Sequence, residues 1–559
     1  FGSLTHRYEG VVAKILRKLG RMTIIYLALG AIAAFVFTRL PTSFMPDEDQ
    51  GYVIMSVQLP GGATKERTDN TLAAATDLVR GMPEVENVIG VSGFSFSGSG
   101  QNMALGFIML KDWAERPDAG SDAMSLAGKM TGALMGTIKD GYAIVINPPA
   151  ISELGNNSGF TMYLQDRNSS GHEALLAKRN ELLGKMRQSP ILKDVRPSGL
   201  EDAPQLKIDI NRQAAAAQGI SFSSIQATLA SALGSTYVND FPNQGRLQRV
   251  IVQAEAASRM QPADILALTV PNSSGVVVPL STIATVAWEN GMEQSQRFNG
   301  YPAMQLTGAP AEGYSTGDAM NEVQRLVDDL GGAYSLEWTG QSREEIKSGS
   351  QTMMLYTFAA IAVFLALAAL YESWSIPMAV ILVVPLGVLG VVSGVWLRGY
   401  DNGIYFQIGL ITVMGLSAKN AILIIEFAKD LQAQGRTALE AALEAAHLRF
   451  RPIIMTSLAF ILGVVPLYIA SGASSASQRA IGTSVFWGMS VGTFLAVFLV
   501  PLFYVVVRKF FKGGNRQQEQ LAAESAHAGI SVDEVEQHTA EASLNDEEKR
   551  DLHDDKDQK

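Results

Sequence analysis

Six long apolar stretches constrain this 559-residue chain more than any other feature. They lie near 22–40, 353–371, 377–397, 404–428, 452–471 and 480–507. Each reaches the length of about 20 residues that a helix needs to cross a lipid bilayer. The pattern predicts a multi-pass membrane protein. The 41–350 segment, which separates the first two stretches, must then fold outside the membrane.

Basic residues predict the orientation of the spans, because short cytoplasmic loops are enriched in Lys and Arg. Three flanks on one side carry most of them: Lys14, Arg17, Lys18 and Arg21; Lys429, Arg436, Arg449 and Arg451; Arg508, Lys509, Lys512 and Arg516. The opposite short loops contain only Arg398 and Arg479. We therefore expect both termini in the cytoplasm and the 41–350 segment outside, which in a bacterium is the periplasm.

The outer segment contains an internal repeat of predicted strands and helices. The first copy has strands Tyr52–Leu59, Val85–Val91, Ala104–Leu110 and Tyr142–Ile146, and helices Thr64–Arg80 and Asp122–Ile138. This βαββαβ order is typical of the ferredoxin-like fold. The second copy has strands Phe160–Leu164, Leu192–Arg196, Ala303–Thr307 and Ser335–Trp338, and helices His172–Gln188 and Thr316–Leu330. An insert at about 202–289 interrupts it and has strands of its own.

The predicted architecture is thus a membrane bundle of six helices plus an α+β outer domain of two ferredoxin-like units. Its segments run in this order: a cytoplasmic segment 1–21, a span 22–40, a first subdomain 41–150, a second subdomain in two parts at 151–201 and 290–350, the inserted subdomain 202–289, five spans within 351–512, and a tail 513–559. Thirteen acidic and four basic residues lie between Gln517 and Lys559, so the tail holds most of the net charge of -10. We expect this polar tail to be disordered and cytoplasmic.

Composition argues against several classes of function. The chain has no Cys, which excludes disulfides and Cys-based zinc sites, and it has only 6 His. It contains no HExxH motif, phosphate-binding Walker loop or calcium-binding EF-hand pattern. We therefore predict no enzyme, no catalytic residue, no cofactor, no metal and no nucleic-acid partner. Because the first residue is Phe1, we expect the sequence to begin within a longer protein.

Five strings resemble the resistance-nodulation-division superfamily, specifically its AcrB/MexB-like multidrug efflux pumps of the hydrophobe/amphiphile class. They are FMPDEDQG (44–51), LKDWA (110–114), ALYESWSIP (369–377), GLSAKNA (415–421) and RPIIMTS (451–457). They occur in the family's order on the topology predicted above. The resemblance covers roughly residues 1–512 and corresponds to the C-terminal half of a twelve-span protein.

The resemblance implies a proton/drug antiporter, a secondary active transporter, that exports small amphipathic drugs across the bacterial inner membrane. It implies an N-terminal half of the same transporter, a homotrimer, a periplasmic adaptor protein and an outer-membrane channel as partners, with the 202–289 insert as the docking subdomain. The aspartate pair that binds the proton lies in the family's first half and is missing here. This chain alone is therefore not expected to couple to protons.

Lys419 lies near the middle of the fourth span, where a charged side chain costs several kcal/mol unless it is paired or hydrated. It is either a proton-relay cation, a lysine in a permanent ion pair or a group that hydrates a cavity. The resemblance favours the relay and adds Arg449 and Thr456 to it. By themselves these two residues would be interpreted as a positive-inside arginine and a helix-packing hydroxyl.

The resemblance also implies two substrate pockets and a switch loop between them. The deep pocket would contain Ile89, Val91, Phe94, Phe96 and Phe107, and the outer pocket Ile54, Ile144, Ile146, Arg196 and Ser198. The loop spans 93–100 and includes Gly93, Gly98, Ser99 and Gly100, and its Gly and Ser content predicts a mobile connection. Taken singly, most of the pocket residues lie on strands and would otherwise be assigned to the core.

Two other functions stay open at this stage. A metal-exporting relative would need clustered Met or carboxylate ligands. Met353 and Met354 are adjacent, so they point to different helix faces, and no carboxylate cluster accompanies them. A membrane assembly module that does not transport would also lack the proton-binding aspartates.

Overall fold

A computed structural model describes residues 2–155, 158–473 and 475–511 of the chain. The predicted acidic tail and the basic residues Lys512 and Arg516 lie outside the described residues. Two compact units are present, each considered by itself below. One contains 49–309 and 321–340, and the other contains the described residues of 1–48, 310–320 and 341–559.

The helices are α1 Gly2–Arg17, α2 Leu19–Arg39, α3 Lys65–Arg80, α4 Ala123–Thr137, α5 His172–Gln188, α6 Arg212–Ala217, α7 Phe222–Leu229, α8 Pro262–Ala267, α9 Thr316–Asp328, α10 Gly340–Tyr371, α11 Ser375–Ile381, α12 Val384–Leu397, α13 Ile404–Ala433, α14 Ala438–Tyr468 and α15 Ser475–Phe510. The strands are β1 Tyr52–Gln58, β2 Val85–Ser95, β3 Gly98–Leu110, β4 Tyr142–Ile146, β5 Phe160–Asp166, β6 Leu192–Ser198, β7 Ala203–Ile210, β8 Thr236–Asn243, β9 Arg246–Val252, β10 Thr269–Pro271, β11 Val277–Pro279, β12 Ala284–Gly291, β13 Arg297–Phe298, β14 Tyr301–Pro310 and β15 Tyr334–Trp338.

Six apolar segments of the described chain are long enough to cross a membrane, as predicted: Leu19–Arg39, Gly340–Tyr371, Ser375–Leu397, Ile404–Ala433, Ala438–Tyr468 and Ser475–Phe510. The third is divided into α11 and α12 by a break at Leu382 and Val383. Pro385 explains the break, because proline has no N–H to donate and its ring clashes with the preceding turn. Pro385 lies in the first turn of α12, where no helix N–H is needed and no preceding turn is present to clash with its ring.

Helices α12, α13 and α15 bury most of their surface at the centre of this unit, whereas α2, α10 and α14 expose much of theirs. Glycines allow close packing of α12 on α15, as is common between membrane helices. A Cβ at Gly390 would lie 2.6 Å from the carbonyl oxygen of Trp487. The amphipathic α1 packs Tyr8, Val12 and Leu16 into the same core.

The unit at 49–309 and 321–340 contains two larger sheets with the same strand order. Strands β2, β3, β1 and β4 form the first sheet in that order, and β6, β14, β5 and β15 lie in that order in the second. Helices α3 and α4 pack on one face of the first sheet, where Val53, Met55 and Val57 alternate into the core. Thr64 and Asp122 cap the two helices by accepting hydrogen bonds from backbone N–H groups.

The described segment inserted between β6 and β14 forms three sheets of two strands each, one of them β10 with β11. Strands β7 and β12 pair with each other, and a small core around Ile225, Val270 and Leu280 packs beside them. Strands β8 and β9 form a separate hairpin in which every residue is exposed. This part of the chain is α+β, as predicted.

Candidate functional site

Strand register places many of the predicted pocket residues on one face of the first sheet. Ile54 lies opposite both Phe107 and Ile146, and Phe107 lies opposite Ile89. Residues that are directly opposite in an antiparallel pair point to the same face. This face is the one that α3 and α4 do not cover, since Val53 and Met55 point toward the helices. Val91 and Ile144 share it by the same alternation.

A cavity of about 360 Å³ lies between the uncovered faces of the two sheets, and we call it the inter-sheet cavity. The first sheet contributes Ser56, Gln58, Tyr142, Ile144 and Ile146, and the second contributes Thr161, Gln305 and Thr307. The ends are closed by Phe96 and Ser97, by 153–155, by Arg196–Gly199, and by Thr339 and Gly340. Its size is typical of a small-molecule site.

The structure brings together four of the five predicted outer-pocket residues in this cavity, namely Ile144, Ile146, Arg196 and Ser198. Phe96, predicted for the deep pocket, lines the same cavity. The lining does not include Ile54, Ile89, Val91, Phe94 or Phe107. Ile54 is buried, while Ile89, Val91 and Phe94 are exposed.

The predicted loop at 93–100 is shorter than expected. Phe94 pairs with Ser99 and Ser95 with Gly98, so only Phe96 and Ser97 form the turn. Gly93 (φ +89°) lies at an irregularity in the register, where it adopts a conformation that other residues rarely tolerate. Gly and Ser here continue the ladder because pairing satisfies their backbone donors and acceptors. The prediction of an eight-residue mobile connection is therefore wrong in extent, and its switching role stays a prediction.

The Ser95 side chain stabilises the turn formed by Phe96 and Ser97. Its side chain is buried, its hydroxyl donates to the Met103 sulfur (3.3 Å), and its Oγ accepts from the N–H of Ser97 (3.0 Å). These contacts leave Phe96 at the tip of the hairpin, facing the cavity.

Most of the polar lining of the cavity was not predicted. Ser56 and Gln58 alternate with the core residues Met55 and Val57, and Thr307 follows Leu306 in the same way. Polar residues alternating with core residues on strands of both repeats are the signal that would have found this lining.

Two charged side chains of opposite sign, Arg196 and Glu153, line the cavity. Burial raises the pKa of Tyr142, and the charge of Arg196 opposes this increase. Tyr142 is therefore a neutral phenol that can donate or accept a hydrogen bond. The cavity offers hydrogen-bonding groups and no net charge.

A second cavity, of about 330 Å³, lies beside α5 and shares Pro197–Gly199 and Gln305 with the first. A contact between a histidine and an aspartate and an arginine–glutamate ion pair lie at its edge. His172 Nε2 lies 2.8 Å from Asp202 Oδ2, and Arg179 Nη2 lies 2.7 Å from Glu201 Oε2. These pairs hold the segment after β6 to α5, and nothing in the sequence pattern indicated them.

Lys419 lies midway along α13, on its exposed face. Its neighbour Asn420 is buried and donates to Ser457 Oγ (3.1 Å) and Thr493 Oγ1 (3.3 Å), which ties together α13, α14 and α15. Because successive residues point about 100° apart around a helix, this inward Asn420 turns Lys419 outward. Among the described residues, Lys419 has no hydrogen-bond or ion-pair partner.

The other two predicted relay residues make local contacts. The Arg449 guanidinium lies 3.4 Å from the Phe427 ring centroid, and the exposed Thr456 donates to the Ile453 carbonyl (3.2 Å). Within the described chain, no hydrogen bond or ion pair joins Lys419, Arg449 and Thr456. Sequence analysis missed the buried cluster of Asn420, Ser457 and Thr493, although all three are polar residues inside apolar spans.

Comparison with known proteins matches residues 1–508 to the AcrB/AcrD/AcrF family. The chain is 47% identical over 522 residues to the multidrug/solvent efflux pump membrane transporter MepB of Pseudomonas putida, which covers 93% of this chain and 49% of that protein. It is 47% identical over 519 residues to the multidrug export protein AcrF of Escherichia coli K12, covering 92% of this chain and 50% of that protein.

The multidrug resistance protein MdtF of Escherichia coli K12 is likewise 47% identical over 515 residues, which is 91% of this chain and 50% of the relative. The chain thus spans about half the length of the curated relatives it matches. The family resemblance predicted from the five strings is confirmed. The chain belongs to the AcrB/AcrD/AcrF family, and its six apolar helices support a multi-pass membrane protein.

Proposed function

We propose that this chain is the C-terminal half of a proton/drug antiporter that exports amphipathic compounds. The main support for this proposal is the position of Lys419 in the middle of α13. A lysine without a partner at the middle of a span is too costly to face lipid. Its face of α13 therefore needs protein or water against it, and an N-terminal half that bears carboxylates would supply both a cover and a counter-charge.

The proposed coupling follows from simple electrostatics. A nearby cation lowers the pKa of a carboxyl group, and moving the cation away raises that pKa. Lys419 would pair with ionised carboxylates of the other half and release them when they take up protons. Arg449 and Thr456 would support the two positions of the lysine from α14. The result is a two-state element whose balance depends on proton load.

The inter-sheet cavity is the proposed substrate site. Its lining combines apolar side chains with a few hydrogen-bonding groups, as sites for amphipathic small molecules do. Phe96 at the hairpin tip is positioned to respond to a ligand there, which supports a gating role for 93–100. Exposed Ile89, Val91 and Phe94 with Phe107 would form the deeper pocket beyond this hairpin.

The test is Lys419→Ala in the complete transporter, expressed in drug-sensitive bacteria. Resistance, measured as the minimum inhibitory concentration, should fall to that of cells with an empty vector. Membrane abundance, measured by immunoblot, should not change because Lys419 is exposed and makes no hydrogen bond or ion pair among the described residues. Lys429→Ala is the matched control, since Lys429 is an exposed lysine on the same helix beyond the membrane centre. Normal resistance of Lys419→Ala at normal abundance would refute the relay.

We further propose two ferredoxin-like units and an inserted docking subdomain, in a periplasmic domain outside the inner membrane. The strand order β2-β3-β1-β4 and its repeat in the second sheet support the first assignment. The basic residues on one side of the spans support the orientation.

The exposed β8–β9 hairpin supports a homotrimer as the assembled form. It displays Tyr237, Phe241, Leu247 and Ile251 to solvent in this chain. A lone two-stranded hairpin is marginally stable, and an apolar surface of this kind indicates a binding partner. We propose that it packs on the next copy. The docking subdomain would then meet a periplasmic adaptor and an outer-membrane channel.

A further inference from the structure

Five basic side chains near the start of the chain are exposed, and none makes a hydrogen bond or an ion pair among the described residues. Other surface cations do have such partners, as Lys65 has in Asp69 and Arg67 in Asp140. Like charges that lie this close repel one another, so a partner of opposite charge would stabilise them. They lie on α1, directly after it and in the first turn of α2, and we call them the basic face: Arg7, Lys14, Arg17, Lys18 and Arg21.

The buried side of α1 fixes the direction of the basic face. The Tyr8 hydroxyl donates to the Val497 carbonyl of α15 (2.9 Å), and its ring stacks on Phe450 of α14 with 4.3 Å between centroids. Successive residues point about 100° apart around a helix, so burial of Tyr8 turns Arg7 and Lys14 outward together.

Glu9 is the one acidic residue in 2–21, and it points away from the basic face. Its Oε2 lies 3.5 Å from His447 Nδ1 of α14. Two residues separate by about 200° around a helix, which places Glu9 nearly opposite Arg7. The basic face therefore needs its counter-charge from another part of the protein or from its surroundings.

The 517–559 segment of the same chain carries that opposite charge, with thirteen acidic and four basic residues. Six helices of the described chain are long enough to cross a membrane, and an even number of crossings brings α1 and the chain after α15 to the same side. Leu16 of α1 and Val507 near the end of α15 belong to one hydrophobic core, so the segment begins near α1. A flexible chain of about 45 residues spans about 35–40 Å, which is enough to reach the basic face.

Two other partners fit the basic face less well. Protein interfaces are depleted in lysine at their centres, so a face of this composition is not typical of one. Anionic lipid headgroups would also pair with cations, but they depend on what the membrane supplies. A segment tethered to the same chain is always present, at an effective concentration in the millimolar range.

We propose that the acidic 517–559 segment docks on the basic face through ion pairs with its lysine and arginine side chains. The contact is electrostatic, so salt weakens it. It is independent of the proposed transport function, because it requires only that α1 and the segment lie on the same side of the membrane.

The test is zero-length crosslinking in the complete transporter, in nanodiscs of neutral phosphatidylcholine. A carbodiimide joins a lysine amine to a carboxylate only when the two are in contact, and mass spectrometry identifies the joined peptides. Lys14 and Lys18 should form crosslinks to carboxylates of 517–559. These crosslinks should fall at least about fivefold between about 0.1 and about 1 M NaCl, since the screening length falls from about 10 Å to about 3 Å.

A triple variant keeps both lysines as reporters and replaces the arginines of the basic face: Arg7→Gln, Arg17→Gln and Arg21→Gln. Crosslinks of Lys14 and Lys18 to the segment should fall about tenfold, because three exposed pairs of modest strength are lost together. Lys429→Gln is the matched control, since Lys429 is an exposed cation outside the basic face on the same side of the membrane. It should leave those crosslinks within about twofold.

Four results would overturn the proposal. The first two are no crosslink at Lys14 and Lys18 in the wild type, and an unchanged yield in the triple variant. The third is equal crosslinking of Lys429 to the segment, which would mean that the segment contacts this side without preference. Replacing about a third of the lipid by anionic phosphatidylglycerol should leave at least about half of the crosslinks, because the segment is tethered. Their loss in those nanodiscs, the fourth result, would identify lipid headgroups as the occupant.

Discussion

The buried ion pair between Arg116 and Asp49 should control the local stability of the first sheet and α4. Arg116 Nη1 donates to Asp49 Oδ2 (2.7 Å) and Nη2 to Oδ1 (2.8 Å), and the arginine side chain is 2% exposed. Arg116 also donates to the Lys111 and Ser121 carbonyls. Asp49 in turn accepts from the N–H of Ala123, the first residue of α4. The pair therefore connects three segments.

Arg116→Met removes the cation and leaves a carboxylate and two carbonyls without their donor. Removing one member of a buried pair costs about 3–5 kcal/mol. At the lower value, the protein should open about a hundredfold more often in this region, since each 1.4 kcal/mol is a factor of ten. Amide hydrogen exchange of α4 in the purified chain measures this opening directly.

Arg67→Met is the matched control, because Arg67 makes a similar two-bond contact with Asp140 on the surface. Exposed pairs contribute little, so exchange in α4 should stay within about threefold of wild type. If Arg116→Met also changed exchange less than threefold, the structural role assigned to the buried pair would be refuted.

The same pair predicts a pH dependence. Burial opposes ionisation of Asp49, but hydrogen bonds from Arg116, Gly51 and Ala123 and the charge of Arg116 outweigh it and lower the pKa of Asp49 below its usual 3.8. A carboxyl group with a lowered folded-state pKa stabilises above its unfolded pKa and loses this contribution as pH falls through the folded value. The protection of α4, corrected for intrinsic exchange, should therefore not change between pH 7 and pH 5. A loss of protection in that range would contradict the assignment.

Two further predictions concern packing and assembly. Gly390→Ala should reduce the yield of folded protein in size-exclusion chromatography, because its Cβ would lie 2.6 Å from the Trp487 carbonyl oxygen. Gly463→Ala is the control and should not reduce the yield, because there is open space around Gly463. Equal yields of the two variants would refute the close packing of α12 on α15. Leu247 in the β8–β9 hairpin is 76% exposed. Leu247→Asp should therefore shift the complete transporter from trimer to monomer in native mass spectrometry without loss of folded protein. An unchanged trimer would exclude this hairpin from the interface.

Local patterns in the sequence were enough to predict the six spans and the main strands and helices of the two repeats. Span length follows from the thickness of the bilayer, and strand faces follow from alternation of side chains, so both can be recognised within a short window. The short turn at Phe96 and Ser97 was missed, because the pairing of β2 with β3 decided the backbone conformation there.

The candidate site depended more on tertiary structure. Sequence reasoning assigned Phe96 and Ile144 to different pockets, but the packing of two sheets brings them to one cavity. Thr307 was not singled out because, in sequence, a threonine in a strand is an ordinary surface or core residue. Only the packing of the two sheets places it in a cavity wall.

The sequence by itself determined that this chain has six spans, an α+β outer segment and a charged lysine in the fourth span. Those properties depend on residue type and spacing along one segment. The tertiary structure decided that Lys419 faces outward, because Asn420 binds Ser457 and Thr493 on two other helices. It also decided the polar lining of the inter-sheet cavity, because that lining comes from strands as far apart in the chain as β1 and β14. Such contacts depend on how helices and sheets pack, which no local pattern contains.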